Sequence, residues 1–174
     1  MILTGEAIKE NLGRGIFIKP FHENQLGPNS YDVRLHNELL IYNEGVLDPM
    51  KKLNTTRIKI PEEGLRLIPG TLFLGKTVEW TATYGFVPML EGRSSIGRLG
   101  LSVHVTAGVG DIGFQGFWTL EMTCVQPVVI YPNMRIAQLI YYWPYGEASP
   151  YKGKYNMNHD IQESLIYEDF VSEE

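Results

Sequence analysis

The segment Gln115-Gly-Phe-Trp-Thr-Leu-Glu-Met-Thr123 alternates in side-chain character, which is typical of a β-strand with two different faces. Trp118, Leu120 and Met122 share one face, and we expect that face to lie in a hydrophobic core. Glu121 stands on the opposite face, beside an aromatic and a hydroxyl side chain. Because burying a lone carboxylate is costly, Glu121 must have either a charged partner or a chemical function.

The rest of the chain also consists mainly of short apolar or alternating runs. The predicted strands are Tyr31–Leu35, Glu38–Tyr42, Leu65–Leu67, Thr71–Trp80, Gly85–Leu90, Phe117–Val125, Val128–Ile130 and Arg135–Trp143. Turn-forming residues separate the runs, as at Pro69-Gly70 and Pro132-Asn133. Helical patterns are confined to a segment that Thr4 caps and that ends near Leu12, and to a serine-capped turn at Ser94–Leu99. The sequence therefore predicts an all-β sandwich or barrel with a few short helices.

Composition narrows the class of protein. The length of 174 residues fits a single domain over residues 1–174. The 15 basic and 20 acidic residues give a net charge of -5, which argues against non-specific nucleic-acid binding. We expect neither a membrane span nor a signal peptide, because no apolar run is long enough and the first residues lack a basic, apolar start. The single cysteine, Cys124, excludes an internal disulfide and fits a cytoplasmic protein; with four scattered histidines it also argues against zinc.

Upstream of the Glu121 strand, the segment Glu91-Gly-Arg-Ser-Ser-Ile-Gly-Arg-Leu-Gly-Leu101 combines glycines with arginines and serines. Glycine lets the backbone approach a ligand closely, and arginine with serine suits phosphate oxygens. In a helical turn, Ser94 and Arg98 share a face. The free amides at the start of that turn would face an anion, with Arg93 and Ser95 available to assist. A purely structural turn is the alternative interpretation.

Two carboxylates near this segment are candidates for chemistry. Glu121 is either one half of a salt bridge, with Arg98 as its partner, or a general base that takes a proton from water. Asp111 is either a turn former that bonds neighbouring amides or the residue that orients a second water. The local sequence leaves both pairs of alternatives open.

The C-terminal part of the chain, residues 144–174, changes character. Residues 144–160 are polar and contain glycine, yet carry three tyrosines and two lysines. They form either a surface tail or a lid whose lysines reach phosphates and whose tyrosines pack on a base. We expect the acidic end, residues 163–174, to be a solvated terminus.

Several spaced motifs resemble those of one known family, in the same order and at similar separations. They are Asn29-Ser-Tyr-Asp-Val-Arg-Leu35, the segment from Glu91 to Leu101, His104-Val-Thr-Ala-Gly108, Asp111-Ile-Gly-Phe-Gln-Gly116, Thr119-Leu-Glu121, Tyr131-Pro-Asn-Met-Arg-Ile-Ala-Gln-Leu139 and Lys154-Tyr155. Over nearly its whole length the chain resembles the dCTP deaminase branch of the dUTPase superfamily.

This resemblance implies a distorted β-barrel or jelly-roll of the dUTPase-like type, assembled as a homotrimer with shared active sites. It also implies deamination of the cytosine ring without zinc, with Mg²⁺ carried by the triphosphate of dCTP or dUTP, and inhibition by dTTP. Glu121 matches the catalytic general base. Ser94 and the carbonyl of Ala107 match groups that hold the attacking water. Arg98 matches the arginine beside the glutamate, whose charge would lower the pKa of that carboxyl group.

The same positional match identifies the residues that we expect to contact the nucleotide. They are Arg93, Ser94, Ser95, Arg98, Thr106, Ala107, Gly108, Asp111, Gln138, Tyr151, Lys154 and Asn158. His104 receives no chemical role.

The residues after Ala107 bear on the product. Deaminase-only relatives resemble Ala-His-Arg-Ile-Asp, whereas bifunctional, dUMP-forming relatives resemble Ala-Gly-X-Ile-Asp. The run Ala107-Gly-Val-Gly-Asp111 is similar to the second pattern, and a small Gly108 would leave room near the phosphates. The run departs from that pattern at Gly110, whose backbone freedom could displace Asp111. We therefore predict conversion of dCTP to dUMP, ammonia and diphosphate; the alternatives are a deaminase that releases dUTP and a nucleotide-binding trimer without turnover.

Overall fold

The computed structural model describes residues 1–171, and these are mostly β-structure. The strands are β1 (Ile16–Lys19), β2 (Tyr31–Tyr42), β3 (Thr55–Lys59), β4 (Leu65–Leu67), β5 (Phe73–Thr83), β6 (Val87–Gly92), β7 (Leu101–Ser102), β8 (Gln115–Cys124), β9 (Val128–Ile130) and β10 (Arg135–Tyr142). The helices are α1 (Gly5–Glu10), α2 (Ser94–Gly97) and α3 (Tyr167–Val171), with a 3-10 turn at Glu23–Gln25. Among the described residues, no helix combines the length and the hydrophobicity needed to cross a membrane.

Eight of the strands form one antiparallel sheet in the order β6-β10-β2-β5-β8-β7, with β1 added to β5 and β3 added to β2. β4 and β9 form a separate pair. The pairing register shifts within β2, β5 and β10, as expected of β-bulges, which bend and twist the strands. The sheet therefore curls into a nearly closed, distorted barrel, and the prediction of an all-β fold with a few short helices is confirmed.

The predicted alternation in β8 is also confirmed. Trp118, Leu120 and Met122 are 6%, 0% and 0% exposed and belong to the main core. Removing such apolar surface from water is the dominant favourable contribution to folding. Phe117 and Glu121 remain half-buried on the opposite face, so the strand separates the core from a more open side of the barrel.

Four strands differ from the sequence prediction. The predicted strands Tyr31–Leu35 and Glu38–Tyr42 are one strand, because the register against β5 shifts between Leu35 and Leu39 and so absorbs the polar residues between them as a bulge. Short strands that the sequence did not predict, β1, β3 and β7, pair along the edges of the longer ones.

The two helical predictions have different outcomes. In α1, the Thr4 hydroxyl accepts a hydrogen bond from the backbone N–H of Ala7 at 3.3 Å, as predicted, but the helix ends at Glu10. The prediction that serine caps α2 is wrong. Arg93 is the N-cap residue and makes no side-chain capping bond, while Ser94 is already the first helical residue.

A buried carboxylate joins two central strands. Glu79 on β5 is 0% exposed, and its oxygens accept hydrogen bonds from the backbone N–H of Arg34 at 2.8 Å and from Arg34 Nε at 2.7 Å. Gln25 Nε2 donates a third bond at 3.0 Å. A buried charge is tolerated when it is paired and hydrogen-bonded, so this contact fixes β2 against β5.

We expect Arg34→Met to destabilise the protein by about 3–5 kcal/mol, because it leaves the buried Glu79 carboxylate without its cation. Urea unfolding followed by circular dichroism measures the loss. Lys9→Met is the control: Lys9 pairs with Glu23 and both side chains are exposed, so its removal should change stability by less than about 1 kcal/mol. Equal effects of the two substitutions would contradict this account.

Candidate active site

The open face of β8 forms part of a cavity of about 500 Å³. The cavity brings together Ala107, Asp111 and Glu121 with Tyr151 and Asn158 of the C-terminal segment, all of them predicted site residues. Much of the remaining wall is aromatic and is contributed by Tyr42, Phe117, Trp118 and Tyr155. A concave site with apolar walls and a few convergent polar groups is typical of small-molecule binding.

Hydrogen-bond donors from one short segment hold the carboxylate of Glu121. The backbone N–H of Val105 donates to Oε2 at 3.1 Å, and His104 Nδ1 lies 3.4 Å from the same oxygen, donating to it when the proton is on Nδ1. The hydrogen bond from His104 lowers the pKa of Glu121 and the bond from Val105 adds to this, while partial burial offsets them only in part. Glu121 is therefore ionised at neutral pH and fixed in orientation.

The expectation that Arg98 lies beside Glu121 and lowers its pKa is not met within one chain. Among residues 1–171, the carboxylate of Glu121 is bound by His104 and Val105, and Arg98 is exposed elsewhere. Ser94 lines a neighbouring depression of about 400 Å³. His104 also lines that depression, whereas Val105 lines the larger cavity, so the two depressions are neighbours.

The reason for this separation is local pairing. The backbone N–H of Glu121 donates to the carbonyl of Val103 at 3.0 Å, so residues 103–105 lie along β8 beside Glu121. The segment around Ser94 and the strand that carries Glu121 are thus close in the sequence, but Ser94 and Glu121 do not line the same depression. Ser94 of α2 lines the neighbouring depression, and the exposed Arg98 after the helix lines neither depression.

Other predicted contact residues cluster around a second carboxylate, Asp32. Arg93 Nε lies 3.1 Å from Asp32 Oδ1, and Arg135 Nη1 lies 3.6 Å from Oδ2. Gln138, the other predicted contact residue in this group, accepts a hydrogen bond from the hydroxyl of Ser30 at 3.0 Å. This group lies where β10 pairs with β2, and none of it lines the Glu121 cavity. The exposed Ser95 and Thr106 line neither depression.

The glycines around Asp111 are fixed by packing. The backbone of Gly108 and Gly110 pairs with β6: Leu90 N–H donates to the Gly108 carbonyl, and Gly110 N–H donates to the Pro88 carbonyl, both at 2.7 Å. A Cβ on Gly108 would lie 2.7 Å from the Leu90 carbonyl oxygen. Gly108 is therefore required by the close approach of two backbones, which is a different reason from the room near phosphates that the sequence suggested.

Gly110 does not loosen the loop, contrary to the sequence-based expectation. It is buried, and a Cβ there would lie 2.3 Å from Trp118 Cη2 and 3.0 Å from Pro88 Cγ. Asp111 follows this packed residue and is exposed at the cavity, and its carbonyl accepts the Phe114 N–H at 3.1 Å. Within residues 1–171 the Asp111 carboxylate bonds no neighbouring amide, so the turn depends on its backbone.

The C-terminal segment contributes to the cavity, but not through every predicted residue. Asn158 Nδ2 donates to the Phe117 carbonyl at 3.0 Å, and the backbone N–H of Tyr151 donates to a carbonyl beside Asp111 at 2.7 Å. Lys154 instead points to α3, where its Nζ lies 2.6 Å from Asp169 Oδ1. That hydrogen bond raises the pKa of Lys154.

Several residues of this segment that line the cavity were not predicted from the sequence. The cavity is also lined by Gln162, Glu163 and Ser164. The Ser164 N–H donates a hydrogen bond to the hydroxyl of Tyr42 at 3.0 Å, so this backbone group is bound to the protein and not to solvent. The expectation of a solvated terminus from residue 163 onward is therefore wrong for its first residues. Residues 172–174 of that prediction lie outside the described residues. Polar composition gave no signal that could have identified these contacts.

A family model described as dCTP deaminase-like matches residues 2–143 of this chain. The chain belongs to the dCTP deaminase-like family. A protein of Hathewaya histolytica named "dCTP deaminase, dUMP-forming" is 58% identical over 171 residues, covering 98% of this chain and 99% of that protein. A protein of Cytophaga hutchinsonii with the same name is 57% identical over 172 residues, with 98% and 99% covered.

A solved structure of low sequence identity shares the barrel. The 2'-deoxycytidine 5'-triphosphate deaminase of Agrobacterium tumefaciens superposes with a TM-score of 0.64 at 19% identity over 80% of this chain. The match spans 47% of that structure's chain, about half its length. The likeness confirms the fold, including the barrel architecture that the sequence resemblance implied.

We expect His104→Ala to shift the acid limb of the activity profile to higher pH. Removing the hydrogen bond from His104 raises the pKa of Glu121 towards its ordinary value, so the carboxylate is protonated at a higher pH. The stability that this bond contributes is present above the unfolded-state pKa and is lost as pH falls through the folded-state pKa. The measurement is kcat/KM against pH. His104→Gln, which retains a donor, is the control, and an unmoved limb in His104→Ala would refute the contact.

We expect Gly110→Ala to destabilise the protein by about 1–3 kcal/mol, because its Cβ overlaps the Trp118 ring. Gly97→Ala is the matched control, since nothing lies within 4 Å of a Cβ at that position in α2. Alanine there should be neutral or slightly stabilising. Urea unfolding compares the two, and a Gly110→Ala variant as stable as Gly97→Ala would show that the loop is loosely packed.

Proposed function

We propose that this chain is a dUMP-forming dCTP deaminase, which converts dCTP and two waters to dUMP, ammonia and diphosphate. The observation that carries the proposal is the placement of two carboxylates, Glu121 and Asp111, on one cavity with aromatic walls. The names of the Hathewaya and Cytophaga relatives support it, since both are dUMP-forming dCTP deaminases that match nearly the whole chain.

In the first step, Glu121 acts as the general base. Its ionised carboxylate takes a proton from the water that attacks C4 of cytosine, and then passes protons to N3 and to the departing amine, which leaves as ammonia. The bond from the Val105 N–H keeps the carboxylate oriented towards the cavity. The carbonyl of Ala107, which lines the same cavity, accepts a hydrogen bond from the attacking water.

In the second step, Asp111 orients a water for attack on the α-phosphorus, and diphosphate leaves. The packed backbone around Gly110 supports this role, because it fixes the position from which the exposed carboxylate projects. Carboxylate and phosphate oxygens suit Mg²⁺. We propose that the ion would arrive with the triphosphate and neutralise its charge, and that the Asp111 carboxylate at the cavity would be available to hold it.

We further propose that the site is completed in a homotrimer. Ser94 and Arg98 lie outside the Glu121 cavity of their own chain. They can therefore act together with a Glu121 carboxylate only if that carboxylate belongs to a second copy of the chain. Arginine and serine of that copy would bind phosphates or hold the attacking water. The buried, free Cys124 suits the cytoplasm, and dTTP, which shares the triphosphate and deoxyribose, is a candidate inhibitor.

Product analysis tests the proposal. With dCTP and Mg²⁺, we expect a dUMP peak with diphosphate and little free dUTP on anion-exchange chromatography. Glu121→Gln should reduce ammonia release by about 10²–10⁴-fold while nucleotide binding persists. Asp111→Asn should accumulate dUTP, because only the second step is removed.

Four results would contradict the assignment. Persistent ammonia release from Glu121→Gln would remove Glu121 from the role of base. Loss of both activities in Asp111→Asn would show that Asp111 is not confined to the second step. Accumulation of dUTP by the unaltered protein would identify a deaminase that stops at the first product. If dCTP is not converted at all, the protein would be a nucleotide-binding protein without turnover.

A further inference from the structure

One side of the Glu121 cavity is formed by a stretch without regular secondary structure, residues 156–164, which we call the cavity-wall segment. It lies along the open face of β8. The backbone N–H of Phe117 donates to the Asn158 carbonyl at 3.0 Å, and the Gln162 N–H donates to the hydroxyl of Thr119 at 3.0 Å. The position of this wall therefore depends on how firmly the segment is held to the barrel.

Little apolar burial holds the segment. Ile161 is 4% exposed and packs with Leu40 and Leu74 in a small cluster apart from the main core. Its neighbours on both sides are polar. A stretch with one buried apolar side chain belongs to the less stable parts of a structure, where opening is local.

A charged cluster at Asp160 adds a second attachment. Asp160 Oδ2 lies 2.7 Å from Arg57 Nη2, and Oδ1 lies 2.8 Å from Lys76 Nζ. Arg57 also pairs with Glu38 at 2.9 Å, so strands β3, β5 and β2 all contribute. Asp160 turns back on its own chain as well, since Oδ1 accepts the Ile161 N–H at 2.8 Å.

The geometry of this cluster distinguishes it from an ordinary surface ion pair. Isolated exposed pairs contribute little, but a carboxylate bound by two cations and a backbone amide forms a network. The Lys76 side chain is only 11% exposed. Burial alone raises the pKa of Asp160, but the hydrogen bonds from Arg57 and Lys76 outweigh it and hold that pKa well below its ordinary value.

Lys76 also connects the cluster to the cavity itself. Its Nζ lies 5.3 Å from the ring centre of Phe117, within the range of a cation–π contact. Phe117 lines the cavity on the same face of β8 as Glu121. One ammonium group thus touches both the cavity-wall segment and a ring of the cavity floor.

We propose that Asp160 is a positioning residue for the nucleotide site: through Arg57 and Lys76 it holds the cavity-wall segment in the conformation that binds the nucleotide. The proposal rests on the proposed function, because it takes the Glu121 cavity as the nucleotide site. A chain with the segment detached binds poorly, so the apparent affinity falls with the fraction of attached molecules. Asp160 contacts no reacting atom, so the chemical step is unaffected once the nucleotide is bound.

The test compares local opening with nucleotide affinity in Asp160→Ala. Hydrogen exchange of the full-length protein should become about tenfold faster in peptides that cover residues 156–164 and remain unchanged in peptides of β2 and β5. The KM for dCTP should rise about five- to tenfold while kcat changes by less than about twofold. Raising the salt concentration should increase the KM of the unaltered protein towards that of the variant, because screening weakens the exposed part of the cluster.

Two controls separate positioning from general stability. Asp160→Glu retains the carboxylate and should restore most of the affinity. Glu38→Gln removes another partner of Arg57 that does not belong to the segment, and it should alter neither exchange nor KM. Unchanged exchange in Asp160→Ala, faster exchange with an unchanged KM, or equal effects of Asp160→Ala and Glu38→Gln would each overturn the proposal.

Failure of the proposed function is distinguishable from failure of this inference. If the unaltered protein does not turn over dCTP, the reaction is wrong, and the dissociation constant for dCTP measured by calorimetry replaces the KM. A larger dissociation constant for dCTP, together with faster hydrogen exchange of residues 156–164 in Asp160→Ala, would then still support the positioning role. Absence of dCTP binding by the unaltered protein would overturn both.

Discussion

The two-residue period of β8 is the constraint on which the rest of the structure depends. Trp118, Leu120 and Met122 enter the core, so the residues between them must face the other way. The position of Glu121 is therefore set by the packing of its neighbours, and a shift of one residue would bury the carboxylate and expose the core. Pairing with β5 on one side and with residues 103–105 on the other fixes that register.

The electrostatics of Glu121 follow from this placement. Its carboxylate is bound by a backbone N–H and a histidine, and within residues 1–171 neither a lysine nor an arginine pairs with it. Donors of this kind keep the group ionised, but a lowered pKa also makes the carboxylate a weaker base. Exclusion of water by a bound nucleotide would raise the pKa again, because burial disfavours the charged form. The hydrogen bonds that orient Glu121 lower its pKa, whereas desolvation raises it. The desolvation by a ligand takes effect only when the cavity is filled.

Sequence patterns predicted more of what depends on local order, although not the cap of α2, than of what depends on distant contacts. The alternation of β8 and the capping of α1 by Thr4 are local, and both are confirmed. The separation of Ser94 from Glu121 and the turning of Lys154 towards Asp169 are set by strand pairing and by ion pairs between distant segments. No periodicity in the sequence encodes such contacts, and charge alone does not tell a lysine that binds phosphate from one that binds a carboxylate.

The glycines before Asp111 show why composition misleads where backbones approach each other. Read as a sequence, Gly110 suggests freedom, since glycine has the widest choice of backbone conformations. In the barrel it is buried against Trp118 and Pro88, where a side chain has no room. A glycine required by close packing stiffens its surroundings, because the atoms around it permit few alternative positions. At Gly110, where the chain departs from the family pattern, the absent side chain leaves room for the indole of Trp118. The backbone that precedes Asp111 is held by this packing and by the hydrogen bonds of Gly108 and Gly110 to β6.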